Sequence, residues 1–190
     1  MNPTICQLPY NGLTDKEAIK KANIPPELDV DGFNVLSDYK PCTPMGIINY
    51  LKHLDRLDAD ANVVIIGRGE LVGKPLVDIL MNDKRLCGTV SVITSETSSG
   101  TARNLIHNAD VIVLAMGHSW NDNFLQALSP LATIVDCGIR VIKDKLSGDI
   151  LKEYYPRISS RFIDYTPVPK GVGLLTRLTL LQHVWDYYKK

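Results

Sequence analysis

The sequence has no excess of charge of either sign: its 190 residues include 21 Lys or Arg and 21 Asp or Glu. It also lacks a basic arm, so no nucleic-acid partner is expected. No apolar run approaches the roughly eighteen residues that a membrane span needs. The first ten residues lack the basic start of a secretory signal and include a proline at position 3. We therefore expect a cytoplasmic protein that binds neither nucleic acid nor membrane.

Cysteine and histidine are few, four of each, and neither has the spacing of a metal or redox site. The cysteines are scattered along the chain, at Cys6, Cys42, Cys87 and Cys137. Thiols of this kind are typical of small, buried residues in a reducing compartment. We expect no bound metal.

What the sequence does contain is a regular alternation of short apolar runs and helix-like segments. Strands are predicted at residues 63–66, 90–93, 111–115 and 133–136, and helices at 72–81, 101–108 and 122–128. The strand segments are almost continuously apolar, as in strands that are buried on both faces. The alternation predicts an α/β fold, a parallel sheet with helices on both faces.

Further helices are predicted outside this alternation. One begins at Thr14, with Glu17 three residues on in a capping-box pattern. Another should begin with Thr43 as its N-cap and Pro44 as its first residue. The last helix, at residues 174–189, places five apolar side chains on one face. These are Leu178, Leu181, Val184, Trp185 and Tyr188.

A glycine-rich turn follows the first strand of the alternation, with Gly67, Gly69 and Gly73 in the spacing G-x-G-x-x-x-G. Gly67 ends the strand where the chain must turn, and Gly69 lets a phosphate approach the backbone. Gly73 is expected to let the next helix lie close on the sheet. The N-terminus of that helix offers free N–H groups to an anion, so the segment predicts a nucleotide-phosphate site.

The segment after residues 90–93 bears on which dinucleotide binds. A ribose 2′-hydroxyl usually meets an Asp or Glu at this strand tip, but here Thr94 and Ser95 follow the strand. Arg68 lies in the glycine turn, and a guanidinium with a hydroxyl suits a 2′-phosphate. NADP is therefore favoured over NAD. Glu96 counts against this choice if its carboxylate points inward.

A second glycine- and proline-rich segment, at residues 165–176, lies ahead of the last helix. With it, the chain resembles the bifunctional methylenetetrahydrofolate dehydrogenase/methenyltetrahydrofolate cyclohydrolases. The matching segments occur in family order: Gln7-Leu8-Pro9, Asp29-Val30-Asp31-Gly32-Phe33, Pro41-Cys42-Thr43-Pro44-x-Gly46, Gly67-Arg68-x-x-x-Val72-Gly73-x-Pro75, Asp136-Cys137-Gly138-Ile139, Gly148-Asp149 and Thr166-Pro167-Val168-Pro169-x-Gly171-Val172-Gly173-x-x-Thr176. The resemblance implies a Rossmann-like cofactor domain and a folate cleft.

The resemblance also implies roles for particular residues. Asp31 would hydrogen-bond the pterin ring of a folate, and Gln7 would lie beside the reacting carbon; these two are the catalytic candidates. Arg68 and Ser95 would hold the 2′-phosphate of NADP. The full cofactor-binding set is Gly67, Arg68, Gly69, Val72, Gly73, Ser95, Gly117, Ile139 and Thr176. The substrate-binding set is Asp31, Pro169, Gly171 and Val172.

The family pattern normally begins upstream of Gln7 with a Tyr-x-x-x-Lys motif that carries the cyclohydrolase lysine, and this sequence contains no such motif. We therefore expect dehydrogenase activity and doubt cyclohydrolase activity. The alternatives are a non-catalytic binder of nucleotide or folate, a structural subunit, and a chain completed by a partner polypeptide. The expected parts are a remnant of an N-terminal α/β domain (1–44), a Rossmann domain (45–164), and a loop with a final helix (165–190).

This expected arrangement leaves apolar surface bare on a predicted short strand at residues 5–8 and on the last helix. Exposed apolar patches of this kind usually contact a partner, so we expect a homodimer. The family's usual glycine before Gly171 is Lys170 here.

Overall fold

Four parallel strands form the central sheet of the computed structural model, which describes residues 2–6, 14–120, 122–142, 144–160 and 164–190. They are β1 (Asn62–Ile66), β2 (Thr89–Ile93), β3 (Val111–Leu114) and β4 (Thr133–Asp136). Their order across the sheet is β2-β1-β3-β4. The predicted strands were correct to within one residue at either end, and the predicted Rossmann-like α/β fold is confirmed.

β1, β3 and β4 are buried on both faces, whereas the expectation of burial on both faces was wrong for β2, which lies at the edge of the sheet, contains Ser91 and buries only Ile93. Val63 and Ile65 pack with residues of α2 (Cys42–His53) and α3 (Gly73–Asn82). Val64 and Ile66 point the other way, toward α4 (Ser99–His107) and α5 (Asp122–Ala127). Burying one such side chain fully is worth about 1.5–3 kcal/mol. The sheet is therefore the rigid centre from which the loops at its edges are displayed.

The N-termini of the first two helices differ in how well they were predicted. α1 (Asp15–Ala22) begins with the expected capping box between Thr14 and Glu17. The prediction that Thr43 caps the next helix was wrong. α2 begins two residues earlier, because the Pro41 carbonyl accepts the Met45 N–H at 3.1 Å and closes the first turn. The Thr43 hydroxyl instead lies 2.9 Å from the Thr176 hydroxyl of the last helix.

The last helix, α7 (Val172–Lys189), packs along α2. Gly46 permits the close approach, since a Cβ there would lie 2.9 Å from the Leu175 backbone. Thr179 is buried. The apolar face predicted for this helix is largely exposed: Leu178, Leu181, Trp185 and Tyr188 are each at least 60 % accessible.

Several small elements were not predicted. β5 (Arg140–Ile142) and β6 (Lys145–Ser147) form an antiparallel hairpin. A 3-10 turn at Lys152–Tyr154 leads into α6 (Tyr155–Ser159), and another lies at Pro26–Leu28.

The strand predicted at residues 5–8 lies partly outside the described residues. Its described members, Ile5 and Cys6, have no strand structure, while Thr4 makes a single bridge to Asp29. In the part of the chain that the structure describes, no helix is long and apolar enough to cross a membrane.

Candidate cofactor and substrate site

The carboxyl ends of the four parallel strands lie along one edge of the sheet, and the predicted cofactor residues other than Thr176 follow these ends. The glycine turn follows β1, Ser95 follows β2, Gly117 follows β3 and Ile139 follows β4. In parallel sheets with helices on both faces, ligands bind in the crevice outside this edge.

The glycine turn is built so closely that two of its positions accept no side chain. Gly67 has φ +113°, and a Cβ there would lie 2.2 Å from the Ala115 carbonyl oxygen. A Cβ on Gly73 would lie 2.4 Å from the Gly67 carbonyl oxygen. This close contact is with the residue that directly follows β1. It brings the first turn of α3 against the end of β1.

Two other glycines face open space. A Cβ on Gly69 or Gly117 would meet no protein atom within 4 Å. Together with the N-terminus of α3, beside Val72, where helix geometry favours an anion, this suits a pyrophosphate and the adjoining parts of a dinucleotide. The residues present therefore fit a nicotinamide dinucleotide.

Arg68, in the glycine turn after β1, and Ser95, after β2, both contact Glu96. The Ser95 hydroxyl donates to Glu96 Oε1 at 2.9 Å, and Arg68 Nη2 lies 3.5 Å from the same oxygen. Hydrogen bonds from Thr94 and Ser95 lower the pKa of Glu96 to about 2. The Glu96 carboxylate therefore points toward the predicted 2′-phosphate ligands and stays ionised near neutral pH.

A cavity of about 240 Å³ lies beside this cluster, between α3 and β2. Its lining consists of Arg68, Gly73, Lys74, Val77, Asp78 and Val92. Another cavity, of about 360 Å³, lies between α4 and α5 and takes no residue from the glycine turn. The smaller cavity is the one that adjoins the predicted cofactor residues.

Two fully buried carboxylates organise the loops after β3 and β4. Asp149 Oδ2 accepts the N–H groups of Met116 at 2.8 Å and Gly117 at 3.3 Å. Asp136 accepts three N–H groups, from Gly138, Asp149 and Ile150, at 2.9–3.0 Å. Burial raises the pKa of Asp136 to about 6 and raises that of Asp149 as well. These two side chains fix the backbone on which Gly117 is carried.

Each carboxylate also lies against a glycine of the opposite segment. A Cβ on Gly138 would be 2.3 Å from Asp149 Oδ1, and one on Gly148 would be 2.2 Å from Asp136 Oδ2. The segments 136–138 and 148–149 therefore interlock, with no room for a methyl group on either glycine. Ile139, the predicted cofactor residue after Gly138, is 71 % exposed.

The loop at residues 166–171 joins this network at the end of β4. The Thr166 hydroxyl accepts the Asp136 N–H at 2.8 Å. A Cβ on Gly171 would lie 2.4 Å from the Pro167 carbonyl oxygen. Pro169 is exposed, whereas Val172 is buried beneath the sheet at the start of α7. The loop thus projects from a fixed base beside the strand ends.

Thr176 and Lys170 each have a structural feature that the sequence did not predict. The Thr176 hydroxyl donates to the Val172 carbonyl at 3.1 Å and contacts Thr43, so it is engaged in helix packing. Lys170 has φ +84°, a conformation that favours glycine.

Asp31 is a buried carboxylate just ahead of α2. Its Oδ2 accepts the Cys6 N–H at 2.6 Å, and its carbonyl accepts the Cys42 N–H at 3.1 Å. Only 6 % of the residue is accessible, and burial raises its pKa to about 6. Gln7, the other catalytic candidate, lies outside the described residues.

Sequence reasoning missed the parts that Asp136 and Asp149 play in the site. Both belong to segments quoted for the family resemblance, and Asp136 ends a strand that is otherwise apolar and buried on both faces. A carboxylate at such a position needs buried partners, and this signal was available. The identity of the partners was not, since they are backbone N–H groups of segments distant in the chain.

Comparison with known proteins identifies close relatives. Residues 41–190 match the family model described as tetrahydrofolate dehydrogenase/cyclohydrolase, NAD(P)-binding domain. The bifunctional protein FolD of Methanosphaerula palustris is 34 % identical over 200 residues, covering 100 % of this chain and 67 % of that protein. The relative from Campylobacter concisus, also called bifunctional protein FolD, is 36 % identical and covers 94 % of this chain and 63 % of its own length.

Among solved structures, one similar fold is the Trypanosoma brucei N5,N10-methylenetetrahydrofolate dehydrogenase-cyclohydrolase complexed with NADP cofactor and inhibitor. It has a TM-score of 0.79 and 26 % identity, over 96 % of this chain and 65 % of that one. This chain therefore spans about two thirds of the length of these relatives.

Proposed function

Because the chain belongs to the tetrahydrofolate dehydrogenase/cyclohydrolase family, we propose that it is an NADP-dependent methylenetetrahydrofolate dehydrogenase. The reaction is hydride transfer from 5,10-methylenetetrahydrofolate to NADP, giving methenyltetrahydrofolate. One observation carries this proposal in the structure: the glycine turn and the base of the 166–171 loop both lie at the carboxyl edge of the sheet.

The proposed cofactor site extends along this edge. The backbone at Gly67, Gly69, Val72 and Gly73 would hold the pyrophosphate at the start of α3. Arg68 and Ser95 would bind the 2′-phosphate, after giving up their contacts to Glu96. Gly117, Ile139 and Thr176 complete the set. Because the Thr176 hydroxyl already has two partners, any role of Thr176 is in shaping the site.

The proposed substrate side consists of Asp31, Pro169, Gly171 and Val172, with Gln7 beside the reacting carbon. A carboxylate accepts two hydrogen bonds from an aminopyrimidine edge, which a neutral side chain does less well. With its pKa raised to about 6, Asp31 is mostly ionised at neutral pH and can accept them.

Hydride transfer requires little from the protein beyond the positioning of the folate and the cofactor. NADP, when bound, supplies the ring that accepts the hydride, and no protein acid or base is required. The residues of this chain hold the two reactants at contact distance, and correct placement accounts for most of the effect. The carboxylates Asp136 and Asp149 keep the edge loops in place.

A second candidate is a nucleotide or folate binder without catalysis. The observations that favour it are the contacts of Arg68 and Ser95 with Glu96 and the hydrogen bond from the Cys6 N–H to Asp31.

For the organisation of the chain, we propose that residues 1–44 and 165–190 form the folate side and residues 45–164 form the cofactor side. His183 Nδ1 lies 2.9 Å from the Val30 carbonyl, which supports this division.

The test is growth of absorbance at 340 nm with methylenetetrahydrofolate and NADP, measured beside NADP-induced thermal stabilisation. Turnover with stabilisation supports the dehydrogenase, whereas stabilisation without turnover at high enzyme concentration supports the binder. The variant Gly69→Ala places a methyl in the open space of the turn and should abolish the stabilisation. Gly100→Ala, whose methyl also meets no protein atom, is the matched control and should keep it.

We further propose a cytoplasmic homodimer. All four cysteines are free thiols, as suits a reducing compartment. The exposed apolar face of α7 offers a contact surface, so Leu181→Asp should convert a dimer to a monomer in light scattering at micromolar concentration. Leu131→Asp, at a residue equally exposed (67 %), should not. A monomeric wild-type protein would refute the dimer.

A further inference from the structure

Glu96 occupies the place where the predicted 2′-phosphate ligands converge. The Ser95 hydroxyl donates to its Oε1, and the Arg68 guanidinium lies 3.5 Å from the same oxygen. Both charged side chains are about two thirds exposed, so they are free to exchange partners when a ligand arrives. No other carboxylate is bonded in this way to both residues among the contacts of the described chain.

A carboxylate and a phosphate accept hydrogen bonds from the same donor groups. Both accept from a guanidinium and from a hydroxyl, and a phosphate monoester carries a charge of about −2 at neutral pH. An incoming 2′-phosphate must therefore displace Glu96 from Arg68 and Ser95, and it is repelled by the carboxylate that remains nearby. Glu96 stays charged at neutral pH, because hydrogen bonds from Thr94 and Ser95 lower its pKa to about 2.

The same carboxylate suits the other cofactor. An acidic side chain at the tip of the second strand accepts the ribose 2′-hydroxyl of NAD. We propose that Glu96 is a specificity-determining residue: it competes with the 2′-phosphate of NADP for Arg68 and Ser95, accepts the 2′-hydroxyl of NAD, and so narrows the preference between them. This inference rests on the proposed dinucleotide-binding function.

The experiment is a calorimetric titration of the intact chain with NADP and, separately, with NAD. The variant Glu96→Gln keeps the length and hydrogen-bonding capacity of the side chain and removes its charge. It should tighten NADP binding by about twofold to fivefold, the scale expected for exposed charge pairs, and leave NAD binding unchanged or weaker. Glu96→Ala should give the same NADP gain with a larger loss for NAD.

Two further variants make the test specific. Glu153→Gln removes the same charge from an exposed residue of the 3-10 turn before α6 and should change neither affinity. Adding Arg68→Gln to Glu96→Gln should erase most of the NADP gain, because the released donor is then missing.

The outcomes separate the inference from the function on which it rests. Equal NADP affinity in the wild-type protein and Glu96→Gln overturns the inference and leaves dinucleotide binding intact. An equal gain in Glu153→Gln also overturns it, since the effect is then one of net charge. Binding of neither cofactor by any variant overturns both. Thermal unfolding of each variant checks that the exposed substitutions leave the fold unchanged.

Discussion

Removal of the Asp149 carboxylate should loosen the site from beneath. In Asp149→Ala, the N–H groups of half-buried Met116 and exposed Gly117 lose their acceptor at 2.8 and 3.3 Å, and the Arg140 guanidinium loses a carboxylate oxygen 3.9 Å away. A fully buried donor left unsatisfied costs about 1–3 kcal/mol, and a partly exposed donor costs less because water can replace the lost acceptor. Because the donors share one partner and the loop can relax, we expect a total loss of about 2–4 kcal/mol.

The assay is urea unfolding of wild-type protein, Asp149→Ala and Asp149→Asn. The asparagine keeps one oxygen for the Met116 and Gly117 N–H groups, so it should lose about half as much as the alanine. Asp110→Ala is the control: its Oδ2 accepts the Asn62 N–H at 2.8 Å, but in an exposed setting, and it should cost about 1 kcal/mol or less.

The same variants report on function. Gly117 is held by Asp149, so Asp149→Ala should also weaken NADP binding in the protein that remains folded. A loss of unfolding free energy equal to that of the Asp110 control would refute the reasoning, because it would mean that the buried carboxylate does not hold these loops.

Three other perturbations have expected outcomes. Gly67→Ala should destabilise the protein by about 3 kcal/mol or more in urea unfolding, because its methyl meets the Ala115 carbonyl at φ +113°; a folded protein of wild-type stability would contradict the contact. Between 3.8 and about 6, the folded chain binds more protons at Asp31 than the unfolded chain does, so its contribution to stability falls as the pH rises. Wild-type protein should lose stability relative to Asp31→Asn over that range, and parallel curves would exclude the raised pKa. Lys170→Gly should raise Tm by about 2–4 °C, since glycine tolerates φ +84°, and an unchanged Tm would show that the strain is negligible.

The sheet could be predicted because its signal is local. β1, β3 and β4 are short runs of buried residues, and their burial on both faces follows from the alternation with helices. The edge strand β2 is mostly exposed, which the alternation does not predict. The hairpin of β5 and β6 has no run of buried apolar residues that would indicate strands, because β5 and β6 are short and Val141 and Ile142 are exposed. The start of α2 was missed by two residues because Pro41, and not Thr43, supplies the first acceptor of the helix.

The candidate site was predicted only in part, and for a related reason. The glycines of the turn could be recognised from the sequence, because their spacing reflects the backbone geometry of the turn and does not depend on the neighbouring side chains. Glu96 was recognised as the residue that would decide between cofactors, but its direction depends on contacts with Arg68 and Ser95 across the strand tip. The exposure of Leu178 and Trp185 on α7 depends on which side of the helix meets α2, which periodicity alone does not give.

The interlock of Gly138 with Asp149 and of Gly148 with Asp136 divides the site into two kinds of surface. One kind is a frame of backbone and buried carboxylates that admits no added atom, so substitutions there act on folding and on binding together. The other kind is the exposed cluster at the tip of β2, where side chains can be exchanged at almost no cost to the fold. The choice of nucleotide is thereby separated from the stability of the protein, and a single substitution can retune the first while the second is preserved.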